Sequence, residues 1–466
     1  MINDLSGYLA YLSKKGRAAT IREKVSTECE ISAITNLENR THRNESRALV
    51  FENVDGYDMP VATNLLGSLP TLSELFNQLP LSDLILKMHT AGKMEMLKGA
   101  KAVMDSKPKI SASLSGYKRL GGLDELPVLK VWPKDSGRFI TLPLVITNSP
   151  SDGSTNVGIY RMQVFDSETT GMHWQSQKGG AIHAAEAAEA GTALKVSVAI
   201  GTDPYNLMAA VAPLPQGINE FAFSGMMRGS STNLVRNGEY PAVPSNSEIV
   251  INGHVDGEKK MEGPFGDHTG YYSIPEPAHV FHVDAIYAKE HPIYAASVVG
   301  FPWSEDAVAA EFLSGYLKPM IKAVNSSIVD IYLPSEGAFT NMCFISIKKR
   351  FPGDAKKAMF GILGLGQLSL TKIVVAFDDD VNIRDLSTAM WALSTRVDPE
   401  RDIQIIKGTS TDSLDHASSI SAYGSKVLID ATKKTREEGY ARGWPETISM
   451  DGPVESEAEK KWKRIK

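Results

Sequence analysis

Hydrophobic positions in the first quarter of the chain alternate between helical and extended spacing. Apolar residues recur with helical period from Leu5 to Leu12, and residues 31–40 repeat this pattern. Residues 48–68 read as a strand, a turn and a second strand, with Asp, Gly and Tyr at the turn. Residues 70–105 are mostly of helical pattern. This arrangement predicts an N-terminal α/β unit.

In the middle of the chain, short apolar runs are separated by Gly, Pro, Asp and Asn. These runs are LPVLKVWP, GRFITLPLVIT, NVGIYRMQVF, GMHWQSQ, LKVSVAIG, EIVINGHV, AHVFHVDAIYA and IYAASVVG. Short strands that recur with turn signals are typical of a β-barrel or a sandwich. AIHAAEAAEAGT interrupts them as a helical insert, and INEFAFSGMM fits no single element.

In the last third of the chain, predicted strands again alternate with predicted helices. SIVDIYLP, NMCFISIKK and KIVVAFDDDV have the pattern of buried strands, whereas DAKKAMFGILGLG and DLSTAMWALSTRV are helical, the latter with Asp385 as N-cap. Strands that alternate with helices favour a mostly parallel sheet. We therefore divide the chain into an N-terminal α/β domain (1–115), a strand-rich domain (116–300), a C-terminal α/β domain (301–435) and a charged tail (436–466).

Composition narrows the class of protein. The 466 residues include 49 Lys and Arg against 55 Asp and Glu, a formal net charge of −6, which argues against binding nucleic acid through its phosphates. No apolar run reaches the length of a membrane span, and the N-terminus lacks the pattern of a secretory signal. Two distant cysteines, Cys29 and Cys343, exclude a disulfide scaffold. A cytoplasmic enzyme or binding protein is the expectation.

The most informative local motif is EGPFGDHTGYY, which begins at Glu262. Glu262 and Asp267 flank a Gly-Pro-Phe-Gly bend, so both carboxyl groups can face one cavity. Beside aromatic rings, one acid can be held protonated as a general acid while the other stays ionised next to a cation. The same residues also fit an acidic surface turn.

A second motif, NVGIYR, ends at Arg161 and precedes a short strand. A guanidinium among apolar strand residues needs an anionic partner, because an unpaired buried charge is costly. That partner is Glu262, Asp267, a substrate carboxylate or each in turn. A structural ion pair satisfies the same requirement.

Other motifs carry weaker signals. Gln177 and Lys178 precede a Gly-Gly pair at the start of the helical insert, where a phosphate could bind. No GxGxxG follows a strand, so a Rossmann site is not supported. The acidic run 378–380 fits a solvated strand end better than a metal site, and the histidines lack the spacing of a zinc site.

Taken together, EGPFGDHTGYY, NVGIYRMQV, GMHWQSQKGG, GFPWSE and DDDVNIRDLSTAMWALSTR resemble the UbiD-like decarboxylases. The resemblance extends in the same order over residues 1–435. It implies an α/β fold (α+β, multidomain), with a central split β-barrel flavin-binding domain flanked by N-terminal and C-terminal α/β domains, the last of which commonly forms a dimer.

The resemblance also implies an activity. The family carries out reversible, non-oxidative decarboxylation of aromatic or α,β-unsaturated carboxylic acids with prenylated FMN, which a separate flavin prenyltransferase supplies. Arg161 matches the family's arginine, Glu262 its first acid and Asp267 its second. Arg161 would then orient the substrate carboxylate, and Asp267 would provide the proton that replaces CO2.

Cofactor contacts follow residue by residue from the same resemblance. They are Asn156, Gly158, Ile159, Tyr160, Arg161, Gln177, Lys178 and Pro213, with Lys372 a weaker candidate for the phosphate. The family also binds Mn2+, with K+ nearby.

The implied metal ligands are less complete in this chain than in the family. Asn156 matches one family ligand. The family's glutamate falls at Asn237, and Glu239 follows two residues later, which leaves Asn156 and Glu239 as the ligand set. Lys178 stands where some relatives have a histidine ligand, and its ammonium could supply part of the metal's charge.

The substrate stays open at this point. A hydroxybenzoate-type acid is the leading expectation, and a phosphorylated enoic acid, anhydromevalonate phosphate of archaeal isoprenoid synthesis, is the alternative. A flavin-binding split-barrel protein without decarboxylase activity is a third hypothesis. A homodimer or higher homo-oligomer is expected.

Overall fold

The computed structural model describes residues 2–77, 106–111, 114–175, 178–212, 214, 218–300, 304–316, 318, 321–322 and 325–465. The predicted positions Gln177 and Pro213, and most of the predicted helical stretch 70–105, lie outside these residues. Within them, no helix is long and apolar enough to cross a membrane.

The N-terminal part is an α/β unit, as its periodicity predicts. Its helices and strands are α1 (Leu5–Lys14), β1 (Ala18–Ile21), α2 (Glu30–His42), β2 (Ala48–Phe51), β3 (Val61–Thr63) and α3 (Leu69–Asn77). Asp4 caps α1 by accepting a hydrogen bond from the Gly7 amide at 2.7 Å, and the apolar face of α1 is buried. A strand from much later in the chain, Tyr294–Ala296, pairs parallel to β3 and extends this sheet. The segment IYAASVVG thus joins the N-terminal sheet.

The described residues of the central part are rich in strands and include three α-helices. Its elements are β4 (Lys109–Ser111), β5 (Lys118–Leu120), β6 (Phe139–Ile140), β7 (Leu144–Asn148), β8 (Thr155–Ile159), β9 (Met162–Gln163), β10 (Thr169–Met172), α4 (Gly179–Glu189), β11 (Leu194–Ile200), α5 (Pro204–Val211), α6 (Glu220–Arg228), β12 (Asn233–Val235), β13 (Val243–Pro244), β14 (Ile249–Val255), β15 (Lys259–Glu262), β16 (Glu276–Ala288) and β17 (Tyr294–Ala296). The largest sheet has the antiparallel order β10-β16-β14-β11-β7-β8, with β15 and β5 also on β16.

One predicted strand is not formed, and one segment that fitted no single element proves to be a helix. LPVLKVWP is predicted as a strand, but it forms only isolated bridges at Leu129 and Lys130. Pro127 and Pro133 at its ends lack the N–H groups that a longer ladder would use. INEFAFSGMM is helical, because Asn219 caps α6 by accepting a hydrogen bond from the Ala222 amide.

The C-terminal part is a five-stranded sheet with helices on both faces. Its elements are α7 (Glu305–Tyr316), β18 (Ile328–Tyr332), β19 (Met342–Ile347), α8 (Asp354–Leu363), β20 (Ile373–Asp378), α9 (Leu386–Arg396), α10 (Pro399–Asp402), β21 (Ile403–Ser410), β22 (Tyr423–Ala431) and, in the tail, α11 (Gly452–Trp462). Side chains alternate along β19, so that Ile345 packs with α8 while Phe344 packs with the face that α9 covers.

This sheet is less parallel than predicted. The order is β18-β19-β20-β22-β21, in which the inner pairs β19-β20 and β20-β22 are parallel and both edge strands are antiparallel. The segment between β18 and β19 and the segment between β21 and β22 are described throughout, and neither contains an α-helix. Parallel neighbours would need such a crossover helix, so both of these pairs are antiparallel. The predicted class, a strand-rich middle between two α/β parts, is confirmed.

A buried acid joins the N-terminal part to α7. Glu305 is 2 % exposed, and its Oε2 accepts a hydrogen bond from the Leu66 amide at 3.0 Å. Burial raises the pKa of Glu305 to about 7, so the folded chain holds a proton there that the unfolded chain releases at lower pH.

We expect Glu305→Gln to stabilise the protein above pH 7. As pH rises from about 4.5 to 7, the unfolded chain ionises first, so this group lowers the free energy of unfolding by up to roughly 3 kcal/mol. The amide keeps an oxygen for the Leu66 N–H and never ionises. Denaturant unfolding at pH 5 and pH 8 measures the effect, and a variant equal to its parent at pH 8 would contradict it.

Candidate functional site

Three side chains from separate segments meet in the central part. Arg161 lies in the short break between β8 and β9, Glu262 ends β15, and Asp267 follows in the next loop. Arg161 Nε donates to Glu262 Oε1 at 2.8 Å, and Arg161 Nη1 donates to Asp267 Oδ2. Their side chains are 8 %, 0 % and 12 % exposed, which excludes the acidic surface turn.

The loop that carries the two acids is fixed by hydrogen bonds from outside it. The Gly266 amide donates to Asp135 Oδ1 at 2.8 Å, and the Phe265 amide donates to Ser273 Oγ at 3.1 Å. Gly263 has φ of 93°, a conformation that L side chains rarely adopt. The Gly-Pro-Phe-Gly bend therefore holds Glu262 and Asp267 on one side of the loop.

Two histidines complete the surroundings of the carboxylates. His173 Nδ1 lies 3.0 Å from Glu262 Oε2 and 3.2 Å from Arg161 Nη2. His268 Nδ1 lies 2.9 Å from Asp267 Oδ1, and the His268 amide donates to the same oxygen at 2.7 Å. Each acid thus has Arg161 on one side and an imidazole on the other.

These contacts decide the charge state of the acids. Burial raises the pKa of Asp267, but the His268 hydrogen bond and the Arg161 charge outweigh it and hold that pKa well below its usual range. Burial also raises the pKa of Glu262, and the His173 hydrogen bond with the Arg161 charge again lowers it. Both carboxyl groups are ionised at neutral pH. The prediction that one stays protonated therefore fails for the protein without substrate, because Arg161 serves both acids and each also has an imidazole beside it.

Two of the predicted cofactor contacts, Asn156 and Lys178, lie at the N-terminus of α4. Lys178 is the N-cap residue of α4, and Gly179 and Gly180 form its first turn. A Cβ on Gly179 would overlap the Asn156 side chain, and one on Gly180 would lie 2.6 Å from Trp174 Nε1. The helix N-terminus is therefore closely approached by polar groups, and its free N–H groups suit an anion.

Two further observations fit a bound anionic group at this place. Trp174 Nε1 is buried and has no hydrogen-bond partner among the described residues. Gly158 lies under the Tyr160 ring, where a Cβ would be 2.6 Å from the ring atoms. Ile159 ends β8, next to Tyr160 and Arg161, so this segment runs from the α4 N-terminus to the carboxylates. The residues present fit a ligand that joins an anionic group to a reacting centre at Arg161.

The proposed metal ligands are not brought together. Asn156 pairs with Thr147, which pairs with Val196, so these side chains share one face of the sheet. Lys195 precedes Val196 and faces the opposite side, where its Nζ lies 3.6 Å from Glu239 Oε1. Within the described ranges, no group of three or more His, Cys, Asp or Glu side chains could hold a metal ion. Asn156 and Glu239 therefore do not form a joint cation site.

A lysine, Lys178, stands at the N-terminus of α4, where some relatives have a histidine metal ligand. Lys178 is largely buried beside Gly179, and loss of solvent lowers its pKa although Asp412 opposes this. Lys372, the weaker candidate, has its Nζ 2.9 Å from Asp415 Oδ1 in the C-terminal part.

Sequence reasoning missed His173, His268 and Trp174 as members of the site. His173 and Trp174 lie within GMHWQSQKGG, and His268 directly follows Asp267 in EGPFGDH. The signal available in the sequence was their adjacency to residues already singled out, since no metal or triad spacing marks them.

Comparisons with known proteins identify the family to which the chain belongs. Residues 9–88, 106–302 and 309–431 match the N-terminal, Rift-related and C-terminal domains of 3-octaprenyl-4-hydroxybenzoate carboxy-lyase. An uncharacterized protein of Archaeoglobus fulgidus is 44% identical over 479 residues, covering 99% of this chain and 98% of its own.

Solved structures give the same result. Vanillic acid decarboxylase of Sedimentibacter hydroxybenzoicus in its closed form is 25% identical with a TM-score of 0.86, covering 99% of this chain and 98% of that one. The UbiD-class enzyme HmfF of Pelotomaculum thermopropionicum, in complex with FMN, is 27% identical with a TM-score of 0.82, covering 97% and 98%. An evolved dimeric form of HmfF in complex with prFMN has a TM-score of 0.79 at 26% identity, covering 97% and 98%. The chain belongs to the UbiD family of carboxy-lyases, and it is a decarboxylase of that family.

Proposed function

We propose that this protein catalyses the reversible, non-oxidative decarboxylation of an aromatic, hydroxybenzoate-type, or α,β-unsaturated carboxylic acid with prenylated FMN. The observation that carries the proposal is the buried guanidinium of Arg161 bonded to both Glu262 and Asp267. Family membership and the FMN and prFMN complexes of HmfF support the cofactor.

Each polar group has a role that follows from its chemistry. Arg161 would bind the substrate carboxylate with the paired N–H donors that suit a planar anion. Glu262, held ionised, fixes the guanidinium through Nε. Asp267 would transfer the proton to the carbon that loses CO2, because it is the more exposed of the two acids.

The segment from Asn156 to Arg161 together with Lys178 would hold the cofactor. Prenylated FMN, when bound, supplies the electron sink that no side chain provides. Gln177 and Pro213 are proposed contacts on the phosphate side and beside the ring system. A flavin prenyltransferase would be the supplier, and a homodimer or higher homo-oligomer is the proposed assembly.

At the phosphate, we propose that the ammonium of Lys178 provides the charge, in place of Mn2+ and K+. The Asn156 and Glu239 pair does not converge, whereas Lys178 lies at the N-terminus of α4 beside Asn156. A lysine is a point charge that binds phosphate without further ligands.

Cofactor retention should therefore survive removal of metal. We expect the loaded protein to keep its flavin after exhaustive chelation and dialysis into sodium buffer, and Lys178→Ala to weaken flavin retention about 10-fold or more, since a charged hydrogen bond to phosphate contributes about 1.5–3 kcal/mol. Flavin absorbance after gel filtration measures both.

Lys289→Ala is the matched control, because Lys289 is paired with Glu248, 2.7 Å away, and belongs to none of the predicted cofactor contacts. Loss of flavin on chelation of the parent, with Lys178→Ala behaving like Lys289→Ala, would contradict the proposal.

The experiment for the proposed function is co-expression with a flavin prenyltransferase. The bound-cofactor mass and visible spectrum establish loading, and CO2 release is then followed for hydroxybenzoates, an aryl acrylate and a phosphorylated enoic acid. Release from one class identifies the substrate. A protein that binds flavin but releases CO2 from none of them, and exchanges no deuterium into the product-like arene or alkene, would be the non-decarboxylating alternative.

A further inference from the structure

The proposed reaction consumes a proton that Asp267 does not hold at rest. Replacing a carboxylate by hydrogen takes one proton from solvent for every CO2 released. Arg161 and His268 keep Asp267 ionised in the protein without substrate. Asp267 must therefore gain a proton in each turnover, from solvent or from a neighbouring group, and the inference about its source rests on the proposed function.

His268 is the group placed to do so. Its Nδ1 is 2.9 Å from Asp267 Oδ1, and its side chain is only 13 % exposed. On the far side of the ring, Nε2 lies 3.3 Å from Thr340 Oγ1 and 3.8 Å from Asp412 Oδ2. The ring of Phe339 packs against it, with centroids 5.3 Å apart. The imidazole thus bridges the acid and the C-terminal part of the chain.

The charged groups around His268 favour the imidazolium. Asp267 from its own loop, Asp412 from the C-terminal part and Asp306 from α7 all face it. Burial lowers the pKa of His268, but these carboxylates outweigh burial and raise the pKa to about 9. The ring therefore carries a proton at neutral pH, next to the oxygen of Asp267 that does not face Arg161.

We propose that His268 is the proton donor to Asp267 in each turnover. The Nδ1–H bond breaks with its electron pair left on nitrogen, and an O–H bond forms at Asp267 Oδ1. That O–H bond then breaks as the C–H bond of the product forms with the electron pair of the former bond to CO2, and Asp267 returns to the carboxylate. A solvent proton re-forms the Nδ1–H bond after product leaves. No electrons are exchanged with any other group.

The test is His268→Gln in the cofactor-loaded enzyme. A glutamine amide still donates a hydrogen bond to Asp267 but has no transferable proton, so kcat at pH 7 should fall about 100-fold while KM and flavin content stay near the parent. In the parent, kcat should decline as pH rises toward 9, and this alkaline limb should disappear in the variant. A merely structural role would not move the limb.

Asp412→Asn gives an independent measurement that leaves His268 in place. The amide oxygen can still accept from the Leu414 amide, which donates to Asp412 Oδ1 at 3.0 Å, but the charge facing His268 is gone. The alkaline limb of kcat should then move to lower pH by about one unit, and the shift should vanish in the His268→Gln background.

His254→Gln is the matched control, because this histidine also lies beside a carboxylate, 3.0 Å from Asp284, and pairs with β16 at His282, whereas Glu262 pairs with the far end of β16 at Glu276. It should leave the pH profile unchanged. Parental kcat and limb in His268→Gln, or an unmoved limb in Asp412→Asn, would overturn the role of His268. Failure of the parent itself to release CO2 would instead overturn the proposed function.

Discussion

Asp267→Asn is expected to reduce CO2 release by about 10^3-fold, within the range that general acid catalysis supplies, while the protein keeps its fold and its flavin. The amide is isosteric and retains an oxygen for Arg161 or His268, yet it carries no transferable proton. Initial rates with the cofactor-loaded protein, on the acid that the parent decarboxylates best, measure the effect.

A surface aspartate of the same domain provides the control. Asp166 accepts a hydrogen bond from the Thr169 hydroxyl at 2.7 Å on the protein surface, so Asp166→Asn should retain the parental rate. If Asp267→Asn decarboxylates as fast as Asp166→Asn, Asp267 is not on the path of the proton.

Arg161→Ala should lose at least as much activity and should also destabilise the protein. Without the guanidinium, Glu262 and Asp267 are left buried without the cation they share, which typically costs about 3–5 kcal/mol, so we expect a loss of that size at pH 8. At pH 5 the loss should be smaller, because removal of Arg161 raises the pKa of both carboxyl groups in the folded state and protonation then relieves the repulsion. Denaturant unfolding at both pH values measures the difference.

Arg161→Lys separates charge from geometry. The ammonium keeps the charge and most of the stability but cannot bind two carboxylates and a substrate with paired donors, so CO2 release should stay at least about 100-fold below the parent. Arg119→Ala, at an exposed strand residue, is the control for losing a guanidinium. Parental activity in the Arg161→Lys variant would show that the fork geometry of the guanidinium is dispensable.

Much of the fold was predictable because periodicity and caps are local properties. The helix that begins after Asp385 and the buried strand 373–378 are where the sequence pattern places them. The antiparallel direction of the two edge strands in the C-terminal sheet could not be predicted. The direction of an edge strand depends on the connection that joins it to its neighbour and not on its own residues.

The candidate site, like the fold, could be predicted only in part. Residue types singled out Arg161, Glu262 and Asp267 as candidates that fitted a structural ion pair equally well, and only the family resemblance assigned them roles. Their common ionised state could not be predicted, because it depends on His173 and His268 approaching through space as well as on Arg161. The separation of Asn156 from Glu239 likewise could not be predicted. The register of β8 decides which face Asn156 occupies, and the loop that carries Glu239 places it beside Lys195 on the opposite face.

Decarboxylation in D2O by the cofactor-loaded parent and by Asp267→Asn is the most direct test that Arg161, Glu262 and Asp267 form a decarboxylation centre. The parent should release one CO2 for each product molecule and place one deuterium on the carbon that bore the carboxyl group, whereas Asp267→Asn should do both about 10^3-fold more slowly. Equal CO2 release and equal labelling by the two proteins, or no CO2 from the loaded parent with any acid of the substrate classes, would contradict it.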